Sequence, residues 1–386
     1  MSTPLISLCM IVRDEAAILG RTLAAARPWV DELVVVDTGS TDATPEIARA
    51  AGARVERFTW CDDFAAARNA SLAHARGAWA LVLDADEVLA DGAGSTLRRA
   101  CAEAPADLVG WELKLRCPTT GDGGLVRLSW FVRLFRNLPG VRFEGRVHEQ
   151  VIGTLARHGR VARLEGVEVL HTGYQRSPEA LAAKARRNRR LLELHLREEP
   201  DYAPGWFQLA DTLALLGEPR AAIDAYRRAL RLADVSRLTL PPGIVALALQ
   251  NLGAALLAVG EREEGVLTLE TALDLDPTLV PARVHLATLA LGEGRPATAA
   301  RYLREALAVD GPSARGAEYE VDPTLVRALL ARALAALGRP AEAREVLAAA
   351  RGRGPGAEGS DGARRAVSVN RQGAAGAAAD GATLLP

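Results

Sequence analysis

Hydrophobic and polar positions alternate in blocks along the first half of this chain. Leu5 to Val12 is an apolar run ending in Arg13-Asp14-Glu15, and a helical pattern spans about Glu15 to Ala26. A second apolar run, Glu32 to Val36, ends in Asp37-Thr38-Gly39-Ser40-Thr41-Asp42, before a helix over about residues 44–51 that Thr41 or Asp42 would cap. Arg54 to Phe58 reads as a third strand, and Asp62 and Asp63 open a helix through Arg76. The run from Trp79 to Leu83 then stops at Asp84-Ala85-Asp86-Glu87. Short continuous apolar runs alternating with helices predict a parallel sheet with both faces covered. In such sheets ligands bind beyond the carboxyl ends of the strands. Arg13 to Glu15, Asp37 to Thr41 and Asp84 to Asp86 therefore share one rim. Neither a Gly-x-Gly-x-x-Gly loop nor a Walker lysine motif accompanies them. Two hard oxygen donors at Asp84 and Asp86 suit a divalent cation that also holds a diphosphate.

From Trp111 onward the pattern becomes β-like. Trp111 to Arg116 is a strand, and Pro118 to Gly124 is a loop with three glycines. Ser129 to Asn137 is a further strand, with Phe131, Arg133 and Phe135 on one face and Val132, Leu134 and Arg136 on the other. These arginines read either as anion contacts or as a solvated face. Phe143-Glu144-Gly145-Arg146-Val147-His148-Glu149 follows. A group transfer to an alcohol or thiol needs a base for the acceptor proton, and Glu149 is the first candidate, with Glu144 and Asp122 as rivals. His148 would contact metal or phosphate, or orient Glu149. His171, after a short apolar run, is a candidate metal ligand or acceptor contact.

The second half has helical periodicity and repeats. Leu252, Gly260, Leu269 and Ala272 recur 34 residues later as Leu286, Gly294, Leu303 and Ala306. Earlier and later copies are offset by 43 and 44 residues, the surplus falling on segments with Pro241-Pro242-Gly243 and Gly311-Pro312. Ser177-Pro178 starts an arginine-rich helix that runs to about Glu199. Residues 352–386, rich in Gly, Ala and Ser, are expected to be disordered.

Composition removes several function classes. The 47 basic and 48 acidic residues give a net charge of −1, which argues against a nucleic-acid partner. No apolar stretch reaches membrane-spanning length, and the N-terminus has no secretory pattern. Four cysteines without metal or redox spacing read as reduced thiols, and a cytoplasmic location is expected.

The ordered motifs Ser7 to Glu15, Val36 to Asp42, Asp63-Phe64 with Arg68-Asn69, and Asp84 to Glu87 resemble glycosyltransferase family 2 over about residues 5–175. The resemblance implies a GT-A fold, Rossmann-like with a mostly parallel sheet. It implies that Val12, Arg13, Glu15, Asp37, Arg68 and Asp84 hold a nucleotide-sugar, a UDP-sugar first of all. It places Mn²⁺ or Mg²⁺ on Asp86, with Asp84 at the ribose or a metal-bound water; His171 is a further metal candidate from its own position after an apolar run. The 34-residue units, with Trp206, Leu209, Ala210, Leu213, Ala222, Tyr226 and Ala229, resemble tetratricopeptide repeats, about four in number. The expected organisation is a transferase domain at 1–175, a linker helix at 176–202, an all-α repeat domain at 203–351 and a tail at 352–386. The expected function is a metal-dependent, inverting transfer of a sugar to a hydroxyl or thiol. The acceptor would be a peptide, polysaccharide or lipid-linked molecule. The repeats would recruit that acceptor, a protein partner or a second copy. Repeat-bearing bacterial transferases, which this chain resembles, include peptide S-glycosyltransferases. The alternatives are an inactive repeat scaffold and a sugar nucleotidyltransferase; the latter expects a glycine-rich loop after the first strand, which Met10 to Asp14 lacks.

Overall fold

The computed structural model describes residues 5–118, 126–171, 178–235, 240, 242–309, 317–319 and 323–351. Asp122, residues 172–177, Pro241, the Gly311-Pro312 segment and the tail at 352–386 lie outside them.

The chain opens with β1 (Ile6–Val12), α1 (Leu19–Ala26), β2 (Glu32–Asp37), α2 (Thr44–Ala50), β3 (Arg54–Arg57), α3 (Phe64–His74) and β4 (Trp79–Val82). β1 pairs in parallel with β2 and β4, and β2 with β3. β1, β2 and β4 are almost wholly buried, as unbroken apolar runs require when helices cover both faces. α1 begins four residues later than its apolar pattern predicts. The turn before it is tied to the second strand exit: Glu15 N donates to Thr44 Oγ1 (2.8 Å) and Ala16 N to Asp42 Oδ2 (3.1 Å).

Beyond β4 come β5 (Glu87–Leu89), α4 (Ala93–Glu103), β6 (Leu108–Pro118), β7 (Val126–Arg136), α5 (Ile152–Leu155) and β8 (Arg160–His171). The strand order is β3-β2-β1-β4-β7-β6-β8-β5. The expectation of a mostly parallel sheet is corrected here. β4–β7, β6–β7 and β5–β8 are antiparallel, and β6–β8 is parallel, so the sheet is mixed. The physical reason is that β6 and β7 are consecutive and joined by only seven residues, too few for the crossover a parallel pair needs.

The helical half starts at α6 (Pro178–Glu198) and continues as α7 (Ala203–Leu215), α8 (Pro219–Val235), α9 (Pro242–Ala258), α10 (Arg262–Leu275), α11 (Val280–Gly292), α12 (Pro296–Leu307), α13 (Pro323–Ala336) and α14 (Pro340–Arg351). α7 to α14 form four helix pairs among the described residues. Each pair turns at a glycine with positive φ: Gly217, Gly260, Gly294 and Gly338, between 68° and 86°. Alanines such as Ala287, Ala290, Ala299 and Ala300 are fully or almost fully buried where helices cross. A short strand between α12 and α13, β9 (Ala317–Tyr319), returns to the sheet and pairs antiparallel with Arg127 to Ser129 of β7.

α6 is not a free linker. Leu191, Leu192 and Leu196 share one core with Leu209, Leu213 and Tyr226 of the first pair and with Val147 of the sheet domain. Trp60 and Phe64 pack against the same cluster. Arg190 and Asp62 form a two-pronged ion pair across this joint, as do Arg146 and Glu198.

Candidate active site

The rim is assembled from three strand exits. Val12 lies opposite Asp37 in register, and β4 lies on the other side of β1. The first two exits are stitched together. Asp14 adopts φ 53° and accepts from the Thr41 amide at 2.7 Å, while its own amide donates to Ser40 Oγ at 3.0 Å. Asp37 is buried and accepts from the Ser40 amide with both oxygens, at 3.1 and 3.3 Å. Arg13 is exposed and lies 3.8 Å from Asp14, and Glu15 is half-buried. The structure thus brings Val12, Arg13, Glu15 and Asp37 onto one contiguous edge.

Arg68, on the second turn of α3, is the hub of the site. Asp63 caps that helix by accepting from the Ala66 amide at 2.9 Å, which fixes the face α3 presents. Arg68 turns away from Asp62 and Asp63. Its Nη2 donates to Asp84 Oδ1 at 2.7 Å, and its Nε donates to Glu149 Oε1. Only 7% of the Arg68 side chain is exposed, and its Nη1 is buried without a hydrogen-bond partner. The two carboxylates fix the guanidinium plane and leave one of its nitrogens unpartnered.

Asp84 and Glu87 share a second cation. Arg133 pairs with Glu87, and its Nη2 lies 3.5 Å from Asp84 Oδ2. Glu87 is 1% exposed and also accepts from the Asp84 amide at 3.0 Å. Burial alone would raise the Asp84 carboxyl, but the Arg68 and Arg133 charges hold it well below the usual carboxylate range. For Glu87 burial wins, and its value is raised despite Arg133. Arg136, the other strand arginine, donates to the carbonyls of Ala104, Pro105 and Leu108 and covers Trp79. It serves packing.

Asp86 meets His171, with Nε2 3.5 Å from Oδ1. Burial opposes a charge on His171, but hydrogen bonds to Asp86 and Cys117 and the Asp86 and Glu87 charges push it up to about 10. One carboxylate oxygen and one imidazole nitrogen converge there. That pair fits Mn²⁺ or Mg²⁺ when diphosphate oxygens and water complete the shell. Among the described residues, no group of three or more His, Cys, Asp or Glu is placed to hold a metal. Asp84 does not join Asp86 and His171, because both of its oxygens face guanidinium groups.

The segment carrying Glu149 is held from two sides. Asn69 exchanges hydrogen bonds with the Phe143 backbone at 2.8 and 3.0 Å, and the Phe64 amide donates to Arg146 O at 2.8 Å. His148 is exposed, with φ 55°, and its carbonyl accepts from Gln150 Nε2 at 3.3 Å. Glu144 is exposed and paired with Arg142 at 2.8 Å. Sequence reasoning did not single out Glu87 or Cys117 as site residues. Glu87 sits directly after the Asp-x-Asp pair, which was the available signal. Cys117 had none.

Residues 7–157 match the family described as Glycosyl transferase family 2, and residues 203–235 match the Tetratricopeptide repeat. A TPR repeat-containing protein of Synechococcus elongatus is 42% identical over 225 residues, 56% of this chain and 54% of its own length. The SPbeta prophage-derived glycosyltransferase SunS of Bacillus subtilis is 27% identical over 234 residues, 59% of this chain and 54% of its own. The chain therefore spans about half the length of the curated relatives it matches. Among solved structures, that of MamA is similar at 18% identity and a TM-score of 0.35, covering 42% of this chain and 85% of that one.

Proposed function

Residues 7–157 belong to glycosyltransferase family 2 and are followed by tetratricopeptide repeats, and on that premise we propose a metal-dependent, inverting transferase using a UDP-sugar. The observation that carries this reading is the charge arrangement at the end of β4. The buried Arg68 and half-buried Arg133 guanidinium groups flank Asp84, and each has one buried nitrogen, Nη1 and Nε, without a hydrogen-bond partner. Asp86 and His171 lie within two residues of Asp84 or one strand away. A diphosphate would take up the remaining nitrogens of these two guanidinium groups on one side and a cation at Asp86 and His171 on the other.

Asp37, at the neighbouring strand exit, would accept from the uracil N–H. Arg68 would hold the nucleotide or diphosphate through Nη1, kept in place by Asp84 and Glu149. A divalent cation on Asp86 and His171 would neutralise charge on the departing diphosphate. The acceptor hydroxyl or thiol attacks the sugar carbon opposite that group and loses its proton to a base. Glu149 is the nearest carboxylate on the Arg68 side. It takes that proton only if it releases Arg68 when the acceptor arrives; otherwise it is a brace for the guanidinium. The repeats recruit the acceptor, a peptide, polysaccharide or lipid-linked molecule.

Calorimetric titration of UDP with and without Mn²⁺ tests the donor and metal assignments. Metal-dependent binding that disappears in Asp86→Ala is the expected result. Binding of UDP that ignores both Mn²⁺ and the substitution would overturn the metal corner. Glu149→Gln separates the two roles of that residue: a base loses kcat alone, and a brace weakens UDP binding.

A further inference from the structure

Three strand ends meet at the metal corner. β8 lies between β6 and β5, with Arg116 opposite Leu170 and Glu87 opposite His171. Cys117 follows Arg116, and Asp86 precedes Glu87. The topology therefore sets Cys117, His171 and Asp86 side by side across three neighbouring positions. Sγ of Cys117 lies 3.4 Å from Nδ1 of His171, on the ring edge opposite the one that faces Asp86. Cys117 is 5% exposed and the His171 side chain 12%.

A neutral imidazole carries one hydrogen and one lone pair. A ring that offers its lone pair at Nε2 must carry its hydrogen at Nδ1, and the partner of Nδ1 decides which tautomer persists. Metal-binding histidines commonly give that hydrogen to a carboxylate, carbonyl or water. Here the atom in position is a sulfur. A buried cysteine acting only as a small apolar filler would place no demand on the ring.

We infer that Cys117 is a positioning residue for His171. Its sulfur accepts Nδ1–H, fixes the ring plane and leaves Nε2 to give its lone pair to a cation shared with Asp86. The inference rests on the metal reading above.

The test uses the full chain with Cys117→Val, which fills the volume without an acceptor, and Cys117→Ser, which restores one. Mn²⁺ binding is measured by calorimetry in the presence of UDP. Loss of the second partner of a ligating histidine is expected to weaken Mn²⁺ binding about tenfold in Cys117→Val, with most of the affinity retained in Cys117→Ser. Equal affinities in all three proteins, or equal losses in both variants, would overturn the assignment. A second readout follows the ring in the protein loaded with UDP and Mg²⁺, where a coordinated Nε2 carries no hydrogen. Ring ¹⁵N shifts of His171, identified by their absence in His171→Gln, should report hydrogen at Nδ1 alone in the wild type and in Cys117→Ser. Hydrogen at Nε2 in that loaded protein, with Mg²⁺ still strengthening UDP binding, would refute the proposal even if Cys117→Val fails to fold. Binding of UDP with no effect of either cation would overturn the metal reading and this inference with it.

Discussion

Among the described residues, the repeat half gives its left-handed backbone positions to glycine, whereas the sheet half gives three of them to side chains. Gly217, Gly260, Gly294 and Gly338 sit at the turn of each helix pair, while Asp14, Asp62 and His148 adopt φ of 53°, 60° and 55°. A repeat turn only has to reverse the chain, and glycine does so without steric cost. Asp14 and Asp62 keep their side chains because those side chains bond. Asp14 joins two strand exits, and Asp62 joins the sheet domain to α6. His148 stands beside Glu149. Each non-glycine position of this kind costs about 1–2 kcal/mol, so strain collects around the site and the joint. Charge follows the same division. The sheet half buries Arg68 and Glu87, while the repeat core is largely alanine and leucine.

The largest break in this contrast comes from the buried charges. Glu87→Ala strands Arg133 and should cost about 3–5 kcal/mol in chemical denaturation, the range for removing one member of a buried pair. A loss under about 1 kcal/mol would mean that Arg133 is neutralised by Asp84 alone. Next comes the packing of the repeats. A Cβ on Gly253 would lie 2.7 Å from Leu269 Cγ and 3.1 Å from the Gly265 carbonyl. Gly253→Val should therefore cost about 1–3 kcal/mol by overpacking α9 against α10, with UDP binding unchanged. Weaker UDP binding would show that the repeats shape the proposed donor site.

The backbone contrast itself predicts unequal responses. Gly260→Ala should lose about 1 kcal/mol of stability. His148→Gly should change it by about 0.5 kcal/mol or less, because strain relief offsets the added freedom of the unfolded chain. Equal losses in thermal unfolding would erase the distinction. The smallest effect is a slope with pH. Burial would raise the Glu32 carboxyl, but hydrogen bonds from Ser7 and from the Arg76 backbone and side chain outweigh it and hold it below its ordinary value. Its contribution is thus present above the unfolded value, near 4.5, and fades as pH falls through the lower folded value. Glu32→Gln should remove that part of the Tm decline as the solution is acidified from neutral pH; an unchanged profile would assign the decline to other carboxylates.

Much of the fold was legible because its signals are local. Strand exits at Val12, Asp37 and Asp84 follow from apolar runs that stop at polar residues, and the helix pairs follow from recurring glycine and leucine positions. The α6 pattern was legible as a helix but not as a joint. Its partners Val147, Trp60 and Phe64 come from loops and a helix start well upstream in the chain. The site was legible at Asp84 and Asp86 and less so at Arg68. The nearest carboxylates in sequence, Asp62 and Asp63, were equally good partners until α3 was oriented by its cap.

The sequence by itself determined the strands β1 to β4 with the helices between them, where the carboxylates stand at their ends, and where each repeat turns. These depend on periodicity, capping and backbone sterics within a few residues. β5, α4, α5, β8 and β9 were not read from the sequence. Only the tertiary structure decided that Arg68 joins Asp84 to Glu149, that Arg133 takes Glu87 while Arg136 takes carbonyls, and that His171 lies between Asp86 and Cys117. Those partners are separated by up to 85 residues, the spacing of Asp86 and His171. They meet because the β6–β7 hairpin inserts beside β4 and β8 runs between β6 and β5, a strand order that no local pattern specifies.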